Sequence, residues 1–242
     1  MSTKDIVDEI ALLSHSYQPS KKVSDELASK YVVGIIGPFG VGKSTLMKLM
    51  EQIDPDYGYV LGITTRPRRP TEEDVFYRYL PHTQKQLAQL KQQLVEGELV
   101  QLAVHPSTGY IYGSDLESYA KPYNVLDILT SAIPEFETLP FKSFQKVYIT
   151  LPVQEWRNRL QRRATIQSEN DIQKRWLEAK LSLEWALANQ DRLAWVNNTD
   201  GDQEQVAKRI TELGKGRGTS DHDGPTLAQQ MLDETNRILS ID

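Results

Sequence analysis

The segment Gly37-Pro38-Phe39-Gly40-Val41-Gly42-Lys43-Ser44 gathers residues suited to holding a polyphosphate. Closely spaced glycines let successive backbone N–H groups turn inward around an anion, and the N-terminus of a following helix adds positive partial charge. Lys43 supplies a mobile cation for the outer phosphates, and the Ser44 hydroxyl can ligate Mg2+. The spacing therefore predicts nucleotide contacts from Gly37, Pro38, Phe39, Gly40, Val41, Gly42, Lys43, Ser44 and Thr45. The bland alternative, a glycine-rich turn with an exposed lysine, is disfavoured by the apolar strand-like run before the motif and the helical pattern after it.

Two groups of arginines could handle a second phosphate. Phosphoryl transfer is mostly positioning and charge neutralisation, so donor and acceptor phosphates both need cations. Arg66, Arg68 and Arg69 lie in TTRPRRP, where prolines stiffen the loop and the guanidinium fork suits a phosphate dianion. Taken alone, this cluster reads equally well as a solvated basic loop. Arg157, Arg159, Arg162, Arg163 and Arg175 flank the polar stretch ATIQSEN. Arg159 and Arg163 are four apart and share a helical face, and arginines on helices flanking a flexible segment suggest a lid closing over phosphates. The alternative is an exposed basic helix pair balanced by Glu155, Glu169 and Asp171. Asp127, at the end of the strand-like YNVLDIL, is placed for a Mg2+ role opposite Ser44, although a strand-end aspartate is commonly just a cap.

These residues need a scaffold. The chain has 242 residues, 39% hydrophobic and 25% charged, the balance of a soluble globular protein with a real core. No apolar run approaches the ~18 residues of a membrane-spanning helix, and Asp5, Asp8 and Glu9 are out of place in a secretory signal. Having no cysteine excludes disulfides and thiolate chemistry, and the four histidines show no short metal-ligand spacing. A net charge of −5 argues against a generic nucleic-acid coat. The expectation is a cytoplasmic protein with no nucleic-acid or membrane partner.

Periodicity predicts helices over 4–17, 23–30, 43–53, 84–95, 153–163, 171–189, 202–213 and 226–238. Short β-branched or apolar runs predict strands over 31–37, 59–64, 98–104, 110–112, 123–130, 145–151 and 193–196. Strand, glycine turn and helix in succession mark an α/β fold. Residues 214–224, glycine-rich and polar, read as a flexible linker.

In this order, GPFGVGKSTL at 37–46, TTRPRRP at 64–70, Tyr77, YGS at 112–114, Asp127, RLQRR at 159–163, and IQKRW at 172–176 with Ala179 and Glu184 resemble the guanylate kinase family. The likeness spans 31–213. It implies a P-loop NTPase core with a parallel sheet flanked by helices, a small acceptor-binding β-domain at 57–118 and a helical lid at 157–176. Segments 1–30 and 214–242 are then an N-terminal helical extension and a linker with a C-terminal helix.

The implied reaction moves the γ-phosphoryl of ATP, with Mg2+, to a nucleoside monophosphate, GMP or dGMP first. The resemblance assigns the acceptor to Arg66, Arg69, Tyr77, Gln101, Tyr112 and Ser114. It makes Lys43, Arg159, Arg163 and Arg175 the catalytic cations, with Ser44 and Asp127 on the metal. A monomer or homodimer is expected.

Three base-reading positions depart from the family pattern. Gly62 stands where the family has a serine, Gln101 where it has a glutamate, and Leu129 where it has a second aspartate. One carboxylate accepts both adjacent donors of guanine, whereas an amide offers one acceptor and one donor. Gln101 is thus matched to a uracil, hypoxanthine or adenine edge. Two further functions fit part of the pattern: a kinase for another phosphorylated acceptor such as a ribose phosphate, and a non-catalytic binding module. The latter has no need of Lys43, Ser44 and the lid arginines.

Overall fold

The computed structural model describes residues 2–68, 77–105, 108–163 and 169–240. Numbered along the chain, the elements begin with α1 (Thr3–Ser14), α2 (Lys21–Leu27), β1 (Tyr31–Ile36), α3 (Lys43–Ile53), β2 (Tyr57–Tyr59) and β3 (Gly62–Thr64). Next come β4 (Tyr77–Tyr79), α4 (Gln84–Val95), β5 (Leu99–Val104), β6 (Ile111–Asp115) and β7 (Tyr123–Asp127). The remainder is α5 (Ile133–Thr138), β8 (Ser143–Thr150), α6 (Val153–Arg163), α7 (Glu169–Ala188), β9 (Ala194–Asn197), α8 (Gln203–Gly214) and α9 (Gly224–Leu239). They form two compact units, one of Met1–Lys30, Gly58–Asn124 and Thr138–Lys142, the other of Tyr31–Tyr57, Val125–Glu137 and Ser143–Asp242.

The second unit is built on a sheet of order β2-β7-β1-β8-β9, in which β1 pairs parallel with β8 and β8 with β9. A parallel sheet must be covered on both faces, so its strands read as continuous apolar runs. Val32, Val33, Ile35 and Ile36 of β1 are buried accordingly, as are Val147, Tyr148 and Ile149 of β8. Helix α3 turns Leu46, Met47 and Met50 inward, and α8 contributes Val206, Ala207 and Ile210.

The first unit carries a sheet of order β4-β3-β6-β5, with β3 parallel to β4 and β6 antiparallel to both β3 and β5. Alternation along these strands separates two faces. Ile63, Leu102 and Ile111 join Leu87, Leu90 and Leu94 of α4 and Ile6, Val7 and Ile10 of α1 in one apolar cluster. Helix α1 starts with a capping box, the Ser2 hydroxyl accepting from Asp5 N while the Asp5 carboxylate accepts from Ser2 N. Glu9 of α1 pairs with Lys91 of α4, and Tyr17 donates to Leu99 O at 2.5 Å. The N-terminal helices are thus integral to this unit rather than an appendage.

Several expectations are corrected. The strand expected over 59–64 is two strands in different sheets, interrupted at Val60 and Leu61. Strand β4 and helix α5 were not expected. Residues 214–224 are no free linker: Asp221 N donates to Trp195 O at 2.8 Å, Trp195 N to the Ser220 hydroxyl at 2.7 Å, and Asn197 N to the Asp221 carboxylate at 2.8 Å. This stretch lies along β9 and satisfies edge groups of that strand. It leads into α9, whose buried Glu234 accepts Arg157 Nε at 2.6 Å and Arg237 Nε at 2.9 Å. Among the described residues no helix is long and apolar enough to cross a membrane.

Candidate active site

The glycine-rich segment runs from the end of β1 to the start of α3 in the second unit. Gly40 and Gly42 have φ of +83° and +94°, a region that L side chains rarely adopt. A Cβ on Gly40 would meet Leu160 Cδ2 at 2.6 Å and one on Gly42 would meet Asn198 Nδ2 at 2.5 Å, so a neighbouring side chain would also have to shift. Gly42 is the N-cap of α3, so the loop delivers the unpaired N–H groups of that helix's first turn to one spot. Ser44 sits half-buried in that turn and Thr45 is exposed.

Lys43 folds back over the loop. Its Nζ donates to Gly37 O at 2.5 Å and Pro38 O at 3.2 Å, and lies 3.8 Å from Asp127 Oδ1 at the end of β7. The sequence-predicted cation and the sequence-predicted carboxylate therefore meet. Burial pushes the Asp127 carboxyl above its ordinary value, and the charge and hydrogen bond of Lys43 pull it back. The burial is of the carboxyl's surroundings rather than its surface, as 41% of the side chain is exposed.

Arg159 of α6 is wholly occupied by protein acceptors. Its Nη1 donates to Val41 O at 3.1 Å, and its Nη2 to Glu155 Oε1 at 2.5 Å, Asn198 O at 2.6 Å and Asp200 Oδ1 at 2.9 Å. It thus grips the back of the loop, where the sequence suggested a lid arginine. Arg175 of α7 is half-buried and is followed by Trp176, whose ring lies 4.9 Å from that of Phe39 in the loop. Arg163 ends α6; its side chain lies outside the described residues, as do residues 164–168 between the two helices.

The described acceptor residues lie in the first unit, and the strand register puts Tyr77, Gln101, Tyr112 and Ser114 on one sheet face. Gln101 is opposite Ser114, Tyr112 is opposite Ala103 on one side and Thr64 on the other, and Gly62 is opposite Tyr77. With Tyr79, they form the polar and aromatic face opposite the apolar cluster. Tyr77 packs edge-on against Tyr112 with centroids 5.9 Å apart, and the Arg66 guanidinium lies 5.6 Å from the Tyr77 centroid and 5.5 Å from that of Tyr79. Ser114 is buried, its hydroxyl 3.4 Å from that of Tyr119. Arg69 lies outside the described residues.

Comparison with known proteins decides the family. A guanylate kinase from Synechococcus sp. is 30% identical over 158 residues, covering 63% of this chain and 82% of the relative. The chain belongs to the guanylate kinase family. A guanylate kinase from Nostoc sp. is 29% identical over 166 residues, covering 66% of this chain and 79% of its own. A solved guanylate kinase from Anaplasma phagocytophilum matches with a TM-score of 0.46 at 17% identity, covering 77% of this chain and 85% of its own. No family model matches the chain. As a member of the guanylate kinase family it is an enzyme of the nucleoside-monophosphate kinase kind, with an α/β core whose parallel sheet is flanked by helices.

Sequence reasoning missed Asn198 and Trp156. Asn198 Nδ2 donates to Val41 O at 2.7 Å, and Trp156 Nε1 to Phe39 O at 2.8 Å. Neither belongs to a motif. A tryptophan on the apolar stripe of α6 looks like core, and an asparagine after a strand looks like a turn residue.

Proposed function

We propose that the protein transfers the γ-phosphoryl of ATP to a nucleoside monophosphate, with GMP and dGMP the first acceptors. The observation that carries this is the placement of Lys43: its ammonium stands at the mouth of a loop of left-handed glycines, beside the N-terminus of α3 and 3.8 Å from Asp127. A polyphosphate seated there takes over the lysine's contacts with Gly37 O and Pro38 O and receives the loop amides.

The bond between the γ-phosphorus and the β–γ bridging oxygen breaks, and one to an oxygen of the acceptor phosphate forms, leaving ADP and a nucleoside diphosphate. The acceptor phosphate attacks as an anion, so the protein need not remove a proton. Its task is to neutralise and align charge. Lys43 covers the donor phosphates, Arg66 with Arg69, Tyr77 and Tyr112 hold the acceptor phosphate, and Arg163 and Arg175 meet the group in transit. Ser44 in the first turn of α3 and Asp127 beside Lys43 are the oxygens that would hold Mg2+, which when bound neutralises charge on the outer phosphates. The proposal includes a cytoplasmic setting and a monomer or homodimer.

One observation favours a second acceptor class. Gln101 shares the acceptor face with Ser114, directly across the β5–β6 pairing. An amide there pairs with a base edge offering one donor beside one acceptor.

The test is initial ADP release from Mg-ATP with GMP, dGMP, IMP, AMP, UMP, CMP and ribose phosphates. Turnover with GMP supports the first reading, and turnover confined to another monophosphate supports the second. ADP release with none of them would contradict both.

A further inference from the structure

The loop that receives the phosphates is held from behind by three side chains at two of its carbonyls. Trp156 Nε1 donates to Phe39 O at 2.8 Å. Val41 O accepts twice, from Asn198 Nδ2 at 2.7 Å and from Arg159 Nη1 at 3.1 Å. Trp156 and Arg159 are three apart and rise from one face of α6. Asn198 follows β9, anchored by its own N–H to Thr150 O at 2.8 Å.

In a trans peptide the C=O of one residue and the N–H of the next point in opposite directions. Fixing Phe39 O and Val41 O backward therefore aims the N–H groups of Gly40 and Gly42 forward. Both are glycines at positive φ, whose dihedrals have wide freedom. The grip falls where the backbone is least able to hold itself.

Asn198 shows a cost that stability alone does not explain. It is fully buried, and its Oδ1 has no hydrogen-bond partner among the described residues. An orphaned buried acceptor is destabilising, and an apolar side chain of similar volume would avoid it. Among the described residues, the one side-chain bond Asn198 makes goes to the loop.

We propose that Asn198, Arg159 and Trp156 are positioning residues that preset the loop amides for the donor phosphates, a role that rests on the ATP-dependent transfer proposed above. Arg159 then acts through Val41 rather than on the phosphoryl group itself.

The test uses the full chain, with ATP as the probe in direct titration, followed by steady-state kinetics. Asn198→Ala and Trp156→Phe are each expected to raise the ATP Kd and KM about tenfold while the acceptor KM stays within about twofold. A general loss of stability lowers the active fraction, and with it kcat, without separating the two KM values. If Asn198→Ala does not fold, Asn198→Leu removes the N–H donor at similar volume without adding a charge and makes the same split. ATP affinity equal to wild type in folded variants would overturn the proposal and leave the function standing. Wild-type protein that binds ATP but transfers to no acceptor would overturn the function alone, with the variant affinities still deciding this point. Failure of wild type to bind ATP would overturn both.

Discussion

At the scale of single residues, the chemistry turns on which groups can accept and donate at the acceptor face. Gln101 offers guanine's two adjacent donors only one acceptor, and leaving the other unpaired in a closed site costs about 1–3 kcal/mol. Gln101→Glu is therefore expected to raise kcat/KM for GMP roughly tenfold; an unchanged or lower value in steady-state assays would remove position 101 from base reading. Gly62 invites a companion change. A Cβ there meets Tyr77 and Gly113 O at an ordinary 3.4 Å, so Gly62→Ser should fold normally and add to the gain with GMP. A drop in Tm of several degrees in Gly62→Ser would contradict that steric reading. The glycine-rich loop and its lysine were legible in the sequence because glycines and a cation at fixed spacing are visible in one dimension. Asn198 and Trp156 were not, since their roles arise from approach to a loop more than a hundred residues away.

At the scale of elements, both termini are tied down by identifiable contacts. Ile10 of α1 is fully buried in the cluster with α4 and the smaller sheet. Ile10→Ala should destabilise the protein by about 2–5 kcal/mol in denaturant unfolding, whereas a change near zero would return α1 to the status of an appendage. At the other end, hydrogen bonds from Arg237 and Arg157 hold the Glu234 carboxyl down at about 2, below the ordinary 4.5. A depressed carboxylate contributes stability above its unfolded pKa and loses it as pH falls toward the folded value. Glu234→Gln should thus cost about 1.5–3 kcal/mol at pH 7, with the gap to wild type narrowing as pH drops from 4.5 toward 2. Chemical denaturation across that range checks it, and a pH-independent gap would contradict the ion-pair account. Helical periodicity made α1, α3, α4 and α9 legible. Strand β4 and the 214–224 stretch were not, because three residues carry no period and a polar segment gives no sign that it will pair with an edge.

At the scale of the whole molecule, the order of motifs predicted an α/β core and a small sheet, and the structure holds a five-stranded and a four-stranded sheet. The division into compact units differs from the motif map. Segment 1–30 and the acceptor sheet form one body, because the apolar face of that sheet is covered by α1 and α4 together. Motif order could not show this, since coverage of a sheet face depends on which helix returns to it.

The central claim is that Lys43 and its loop direct a phosphoryl group from ATP onto a nucleoside monophosphate. The most direct measurement follows 31P NMR of wild type and Lys43→Ala with Mg-ATP and GMP. Growth of ADP and GDP signals together in wild type, slowed at least about a hundredfold in Lys43→Ala, is the predicted result. Equal rates in the two proteins, or ATP loss as free phosphate with GMP untouched, would contradict it.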